Sequence, residues 1–191
     1  LVYCSITGFG PDGPYRDRAA YDVTVAALGG LMSITGHPGQ APVKTGVASL
    51  DVASGLYGFG GIATALYERE RTGNGKLVEV SILEVQVANL INAASAYLLA
   101  GHVMGPIGTS HVSIVPYQAF AAADGWVVIG ALNDSMFARL GDALGHPDWT
   151  EDSRFAANPA RVANRDTIVE LIDQVVRTRA IDEWVETLGS A

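Results

Sequence analysis

The sequence predicts an α/β unit over residues 1–101, a linker at 102–112 and a smaller α+β unit over 113–191. Three observations predict it. Strand-like and helix-like patterns alternate up to residue 101, the arrangement that builds α/β layers. GHVMGPIGTSH then carries glycines and no periodicity. Beyond it, a strand–turn–strand pattern is followed by a run of helical patterns.

Each element has its own signal. Residues 1–6, LVYCSI, form a continuous apolar, β-branched run and read as a short buried strand. TGFGPDGPYRDR follows, with three glycines and two prolines, and reads as a long surface loop of the kind that carries function. Val23, Ala26, Ala27 and Leu31 recur at helical spacing and predict a helix over 20–31. SITGHPGQAP then reads as turns. A second helix is predicted over 51–71, with Val52, Leu56, Phe59, Ala63 and Leu66 as its apolar stripe. This helix contains Gly55, Gly58, Gly60 and Gly61, each less favourable than Ala by roughly 1 kcal/mol in an exposed helix. Such a helix must gain elsewhere, by close approach of another backbone or a ligand. Gly73 is its left-handed cap. KLVEV at 76–80 is a strand; Ser81 and Glu84 form an S-x-x-E capping box for one helix over 82–100, ended by Gly101. In the later unit VPYQAF and WVVIGAL flank a turn at Ala123, Asp124 and Gly125, a hairpin, and helices are predicted at 133–144, 164–177 and 180–188.

Bulk properties exclude several classes. The 191 residues are 49% hydrophobic and 17% charged, which describes a globular chain with a buried core. A net charge of −8 without a basic patch argues against nucleic-acid binding. The single cysteine, Cys4, forms no internal disulfide, so a reducing, cytoplasmic setting is expected. No transmembrane span is predicted, because Glu84, Gln86, Asn89 and Asn92 interrupt the most apolar stretch. The absence of an initiator Met marks the chain as a piece of a longer protein.

Few residues offer chemistry. His37, His102, His111 and His146 lack metal-ligand spacing and there is no second cysteine, so no metal is expected. GFGPDG and GFGG read as turn and packing glycines, not phosphate loops. Arg16 and Arg18 read as solvated charges and Tyr21 as a core aromatic. His111, in GTSHVSIVPYQ, is either a ligand contact or a loop histidine, and the loop reading is the commoner one. Asp51, in SLDVASG, is open to two readings. Asp is a favoured N-cap. Alternatively the helix start, with its free N–H groups, stabilises an oxyanion beside a reactive carboxylate, and a glycine-rich first turn leaves a substrate room.

Three blocks together carry a resemblance: YCSITGFGPDGPYRDRAAYDVTVAALGGLMSITG, VASLDVASGLYGFGGIATALYERERTGNGKLVEVSILE and SHVSIVPYQAFAAADGWVVIGALND. Across essentially its whole length the chain resembles the class III CoA-transferases, the CaiB/BaiF group. The resemblance implies a Rossmann-like large domain, of which residues 1–101 are the central part, followed by a small domain. It implies an acyl-CoA:carboxylate CoA-transferase with Asp51 as nucleophile. Arg18, Ala19 and Tyr21 fall where the family contacts CoA or the acyl group, although some members carry Lys where Ala19 stands. The substrates implied are coenzyme A thioesters and small carboxylic acids, with no permanent cofactor. The implied assembly is an interlocked homodimer of a protein about twice this length, the isolated piece having little activity. Two rivals stay open. The related 2-methylacyl-CoA racemases place His in a G-H-D pattern where this chain reads Ala20, Tyr21, Asp22, and Tyr is a poor substitute for His in proton transfer. The other is a non-catalytic CoA-binding or assembly module in which Asp51 only caps its helix.

Overall fold

The computed structural model describes residues 1–189; the final two residues of the predicted small domain lie outside them. The chain divides between Gly108 and Thr109 into two compact units. This boundary falls inside the segment expected to be a linker. Gly108 N–H donates to Gly36 O in the first unit and His111 N–H to Tyr117 O in the second, so both halves of that segment are anchored.

In the first unit, strand β1 (Val2–Thr7) pairs in parallel with β2 (Lys76–Ser81), in register from Val2 opposite Lys76 to Thr7 opposite Ser81. Between them run helices α1 (Asp22–Leu28), α2 (Leu31–Ile34) and α3 (Ser49–Thr72); α4 (Ile82–Asn89) and α5 (Asn92–Ala100) follow. The single helix expected over 20–31 is broken, because Gly29 ends α1 and Gly30 takes φ +88°, a left-handed conformation that opens α2. The single helix expected over 82–100 is also two, bent by 78°. The break sits at Leu90 and Ile91, and Ile91 has φ +34°, unusual for a β-branched residue. Ser81 caps α4 as expected, its Oγ accepting from Glu84 N–H at 3.4 Å. No single helix among the described residues is long and apolar enough to cross a membrane.

Helix α3 reverses one expectation. Its predicted core stripe of Val52, Leu56, Phe59, Ala63 and Leu66 faces outward, with Leu56 67% and Phe59 72% exposed. The buried face is instead Leu50 followed by the small residues Ser54, Gly58 and Ala65, at helical spacing. Small side chains let the helix lie close on the strands. A Cβ on Gly58 would come 3.1 Å from Ile6 Cδ1, and one on Gly61 would come 2.5 Å from Val78 Cγ1. At these two glycines it is strand side chains that come close, in place of the backbone or ligand expected, while Gly55 and Gly60 face open space. In urea denaturation of this chain, Gly61→Leu is expected to lower stability by about 1–3 kcal/mol through overpacking. Gly55→Ala is expected to raise it by about 0.5–1 kcal/mol.

The second unit starts with the expected hairpin, β3 (Tyr117–Ala121) antiparallel to β4 (Trp126–Gly130), its turn closed by Ala122 N–H to Gly125 O at 2.8 Å. Helices α6 (Asp134–Leu144), α8 (Arg165–Val176) and α9 (Ile181–Gly189) match the expected ones. A 3₁₀ turn (Pro147–Thr150) and the short α7 (Asn158–Ala163) were not expected; each is started by a proline in its first turn. Ile168, Ile172 and Val176 on α8 pack with Phe120, Phe137 and Trp184 in one core.

Candidate active site

The carboxyl ends of β1 and β2 form the corner at which Asp51 lies. Thr7 Oγ1 accepts from Gly10 N–H at 3.0 Å, and Gly8 O accepts from Leu83 N–H at 3.1 Å, tying the exit of β1 to the start of α4. α3 leads into β2 through Gly73, whose φ of +73° and N–H to Arg69 O close the helix. The helix packs on the strands and runs against them, so its N-terminus lies at their carboxyl ends, where ligands bind in open parallel sheets. Leu50 anchors it there, buried among Val25, Ala26, Phe9, Ala20, Ile82 and Leu83.

Asp51 is not the N-cap. Ala48 holds that position and Asp51 is the third helical residue. The capping work is done from another element: Asp22 Oδ2, at the start of α1, accepts from Leu50 N–H at 2.8 Å. Ser49 N–H goes to Val47 O and Val52 N–H to Ala48 O. The Asp51 side chain makes no hydrogen bond or ion pair among the described residues, and it is exposed. The carboxylate thus sits exposed in the first turn of a 24-residue helix, at the positive end of its dipole.

The other residues expected to make contacts, Arg18, Ala19 and Tyr21, lie in the segment that leads into α1. Tyr21 is the N-cap residue of α1 and 71% exposed, not a core aromatic. Its backbone exchanges hydrogen bonds with Thr24 Oγ1, at 2.9 and 2.8 Å. The adjacent Asp22 brings it beside the first turn of α3. Arg18 lies over the Tyr15 ring at 4.1 Å, and Ala19 is exposed. No hydrogen bond or ion pair joins Arg18, Ala19 or Tyr21 to Asp51 among the described residues.

Asp22 is the residue the sequence reading passed over. It stood in view in Ala20, Tyr21, Asp22, but its partner is 28 positions away and no local pattern links them. Asp22→Ala is expected to cost about 1 kcal/mol in urea denaturation by removing the cap.

Comparison with known proteins adds an independent line. The family profile for CoA-transferase family III matches residues 1–191. The succinyl-CoA:glutarate CoA-transferase of Homo sapiens is 39% identical over 185 residues, covering 97% of this chain and 42% of that protein. The acetyl-CoA:oxalate CoA-transferase of Acetobacter aceti is 36% identical over 192 residues, covering 100% of this chain and 49% of its own length. The crystal structure of a CAIB/BAIF family protein from Brucella suis superposes with a TM-score of 0.84 at 39% identity, over 100% of this chain and 50% of that one. The chain thus spans about half the length of the relatives it matches. With the profile matched from its first residue to its last, and with relatives of this identity, the chain belongs to CoA-transferase family III.

Proposed function

We propose that the protein is an acyl-CoA:carboxylate CoA-transferase in which Asp51 forms the covalent intermediates. The observation that carries this reading is the division of labour at α3: Asp22 caps the helix, which leaves Asp51 exposed and unengaged in its first turn. The relatives named for glutarate and oxalate support small dicarboxylic acids and their thioesters as substrates.

The Asp51 carboxylate attacks the donor thioester carbonyl and expels CoA thiolate, giving a mixed anhydride. Thiolate then attacks the aspartyl carbonyl, releasing the first acid as its carboxylate and leaving an aspartyl-CoA thioester. The acceptor carboxylate attacks that thioester, expelling thiolate and forming a second anhydride. Thiolate attacks the acceptor's acyl carbon, giving the new thioester and restoring Asp51. Each addition places negative charge on a carbonyl oxygen, which the N-terminal field of α3 stabilises. Arg18, Ala19 and Tyr21 line the approach of CoA in this reading. The parallel β1–β2 pair, with its helical crossover, supports a Rossmann-like large domain completed by chain outside residues 1–191. An interlocked homodimer and a cytoplasmic location belong to the same proposal.

Incubating the full-length protein with acyl-CoA and then hydroxylamine tests it. Mass spectrometry is expected to find the hydroxamate on Asp51. CoA exchange with no modification there overturns the covalent role.

A further inference from the structure

The hairpin of the second unit has one covered edge and one bare edge. In an antiparallel pair, residues alternate between bonding the partner strand and turning their N–H and C=O groups away from it. On β3 each outward-turned residue has a partner. Ala119 N–H donates to Thr109 Oγ1 at 2.9 Å, Ala121 N–H to Asp173 Oδ1 at 3.4 Å, and Tyr117 O accepts from His111 N–H at 2.9 Å. The register sets Tyr117, Ala119 and Ala121 opposite Gly130, Val128 and Trp126. These three residues therefore direct their own backbone groups out of the far edge of β4, and no other element bonds to them among the described residues.

The bare edge is also apolar. WVVIG, 126–130, holds neither a charged residue nor a proline, the devices that ordinarily blunt an edge strand. Trp126 and Val128 are 71% and 68% exposed, on the face opposite the core into which Val127 and Ile129 pack. A cavity of about 220 Å³ lies against the same strand, lined by Val128 and Gly130 of β4, Met136 and Leu140 of α6, and Leu188 of α9. Three outward peptide groups beside an apolar slot make a seat for an extended segment that adds a strand to the sheet.

We propose that the seat is filled by the stretch of this same chain that follows α9 in the full-length protein, as a third strand against β4. Leu188, in the last turn of α9, is a wall of the slot, so the chain leaving that helix starts beside the bare edge. A connection of roughly 2–6 residues is enough to turn from a helix into a strand. Further chain is expected, since these residues cover only 42% of the human relative. A tethered segment meets the edge at an effective concentration on the order of millimolar, an advantage that a second copy or a separate protein lacks. Side chains of the new strand that face the slot are expected to be apolar, matching Leu140 and Leu188.

Two measurements on the full-length protein test this. In the parent, amide hydrogen exchange at Trp126, Val128 and Gly130 is expected to be slowed at least about 100-fold relative to an unprotected chain. Trp126→p-benzoylphenylalanine, which exchanges one aromatic for another at an exposed position, is then irradiated and the product mapped by mass spectrometry. The cross-link is expected within one chain, to residues no more than about 15 positions beyond α9. Unprotected exchange at the three amides overturns the proposal, and this readout does not require the variant to fold. A cross-link to a second copy, or to chain preceding Leu1, overturns the choice of occupant. Neither readout depends on the chemistry at Asp51.

Discussion

Replacing Asp51 by Asn or Ala in the full-length protein is expected to lower CoA exchange by on the order of 10⁴-fold or more. Neither side chain can form an anhydride, so the route through covalent intermediates closes and only direct transfer between bound acids remains. The structure also makes this substitution a clean one. The Asp51 side chain makes no hydrogen bond or ion pair among the described residues, and the helix end is held by Asp22 and by the buried Leu50. Denaturation midpoints of the variants are expected to stay near that of the parent. A rate loss with an unchanged midpoint isolates chemistry from folding, whereas undiminished exchange in Asp51→Asn would leave the carboxylate with no role.

The parts of the fold that were legible from sequence are those set by short-range rules. Gly73 ends α3, Ser81 starts α4, and Ala123, Asp124 and Gly125 turn the hairpin, each through local chemistry that a pattern captures. The face of α3 was not legible in this way. Hydrophobicity ranks Leu56 and Phe59 above Ser54 and Gly58, yet close packing on β1 and β2 selects the small residues. The bend at Leu90 and Ile91 carries neither Gly nor Pro, so no breaker announces it. At the site, the resemblance singled out Asp51, while the local pattern left it open to reading as a cap. The long-range Asp22–Leu50 hydrogen bond, which no local pattern announces, assigns the cap elsewhere; the chemical role of Asp51 rests on the exchange measurement above.

In the second unit, Arg161→Ala is expected to remove about 3–5 kcal/mol of stability. Arg161 is fully buried and each of its donor groups is directed. Nε donates to Val115 O at 2.7 Å, Nη1 to Phe155 O at 2.8 Å and Nη2 to Asp134 Oδ1 at 2.8 Å, with the guanidinium 4.2 Å over the Phe137 ring. Truncation leaves two carbonyls without donors and a cavity beside Phe137, and these losses add. The ion pair itself is the smaller part, because the Asp134 side chain is 56% exposed and solvent screens it. Asp134→Asn, which keeps an acceptor in place, is therefore expected to cost no more than about 1 kcal/mol. Arg161→Met restores apolar volume without the donors and is expected to fall between the two. Amide hydrogen exchange at Ile168 and Ile172, in the core beside it, reads the effect on this unit directly. If Arg161→Ala and Asp134→Asn were equally mild, the two carbonyl bonds would carry little weight. Val115 would then be held chiefly by its N–H, which donates to Asn158 Oδ1 at 3.1 Å.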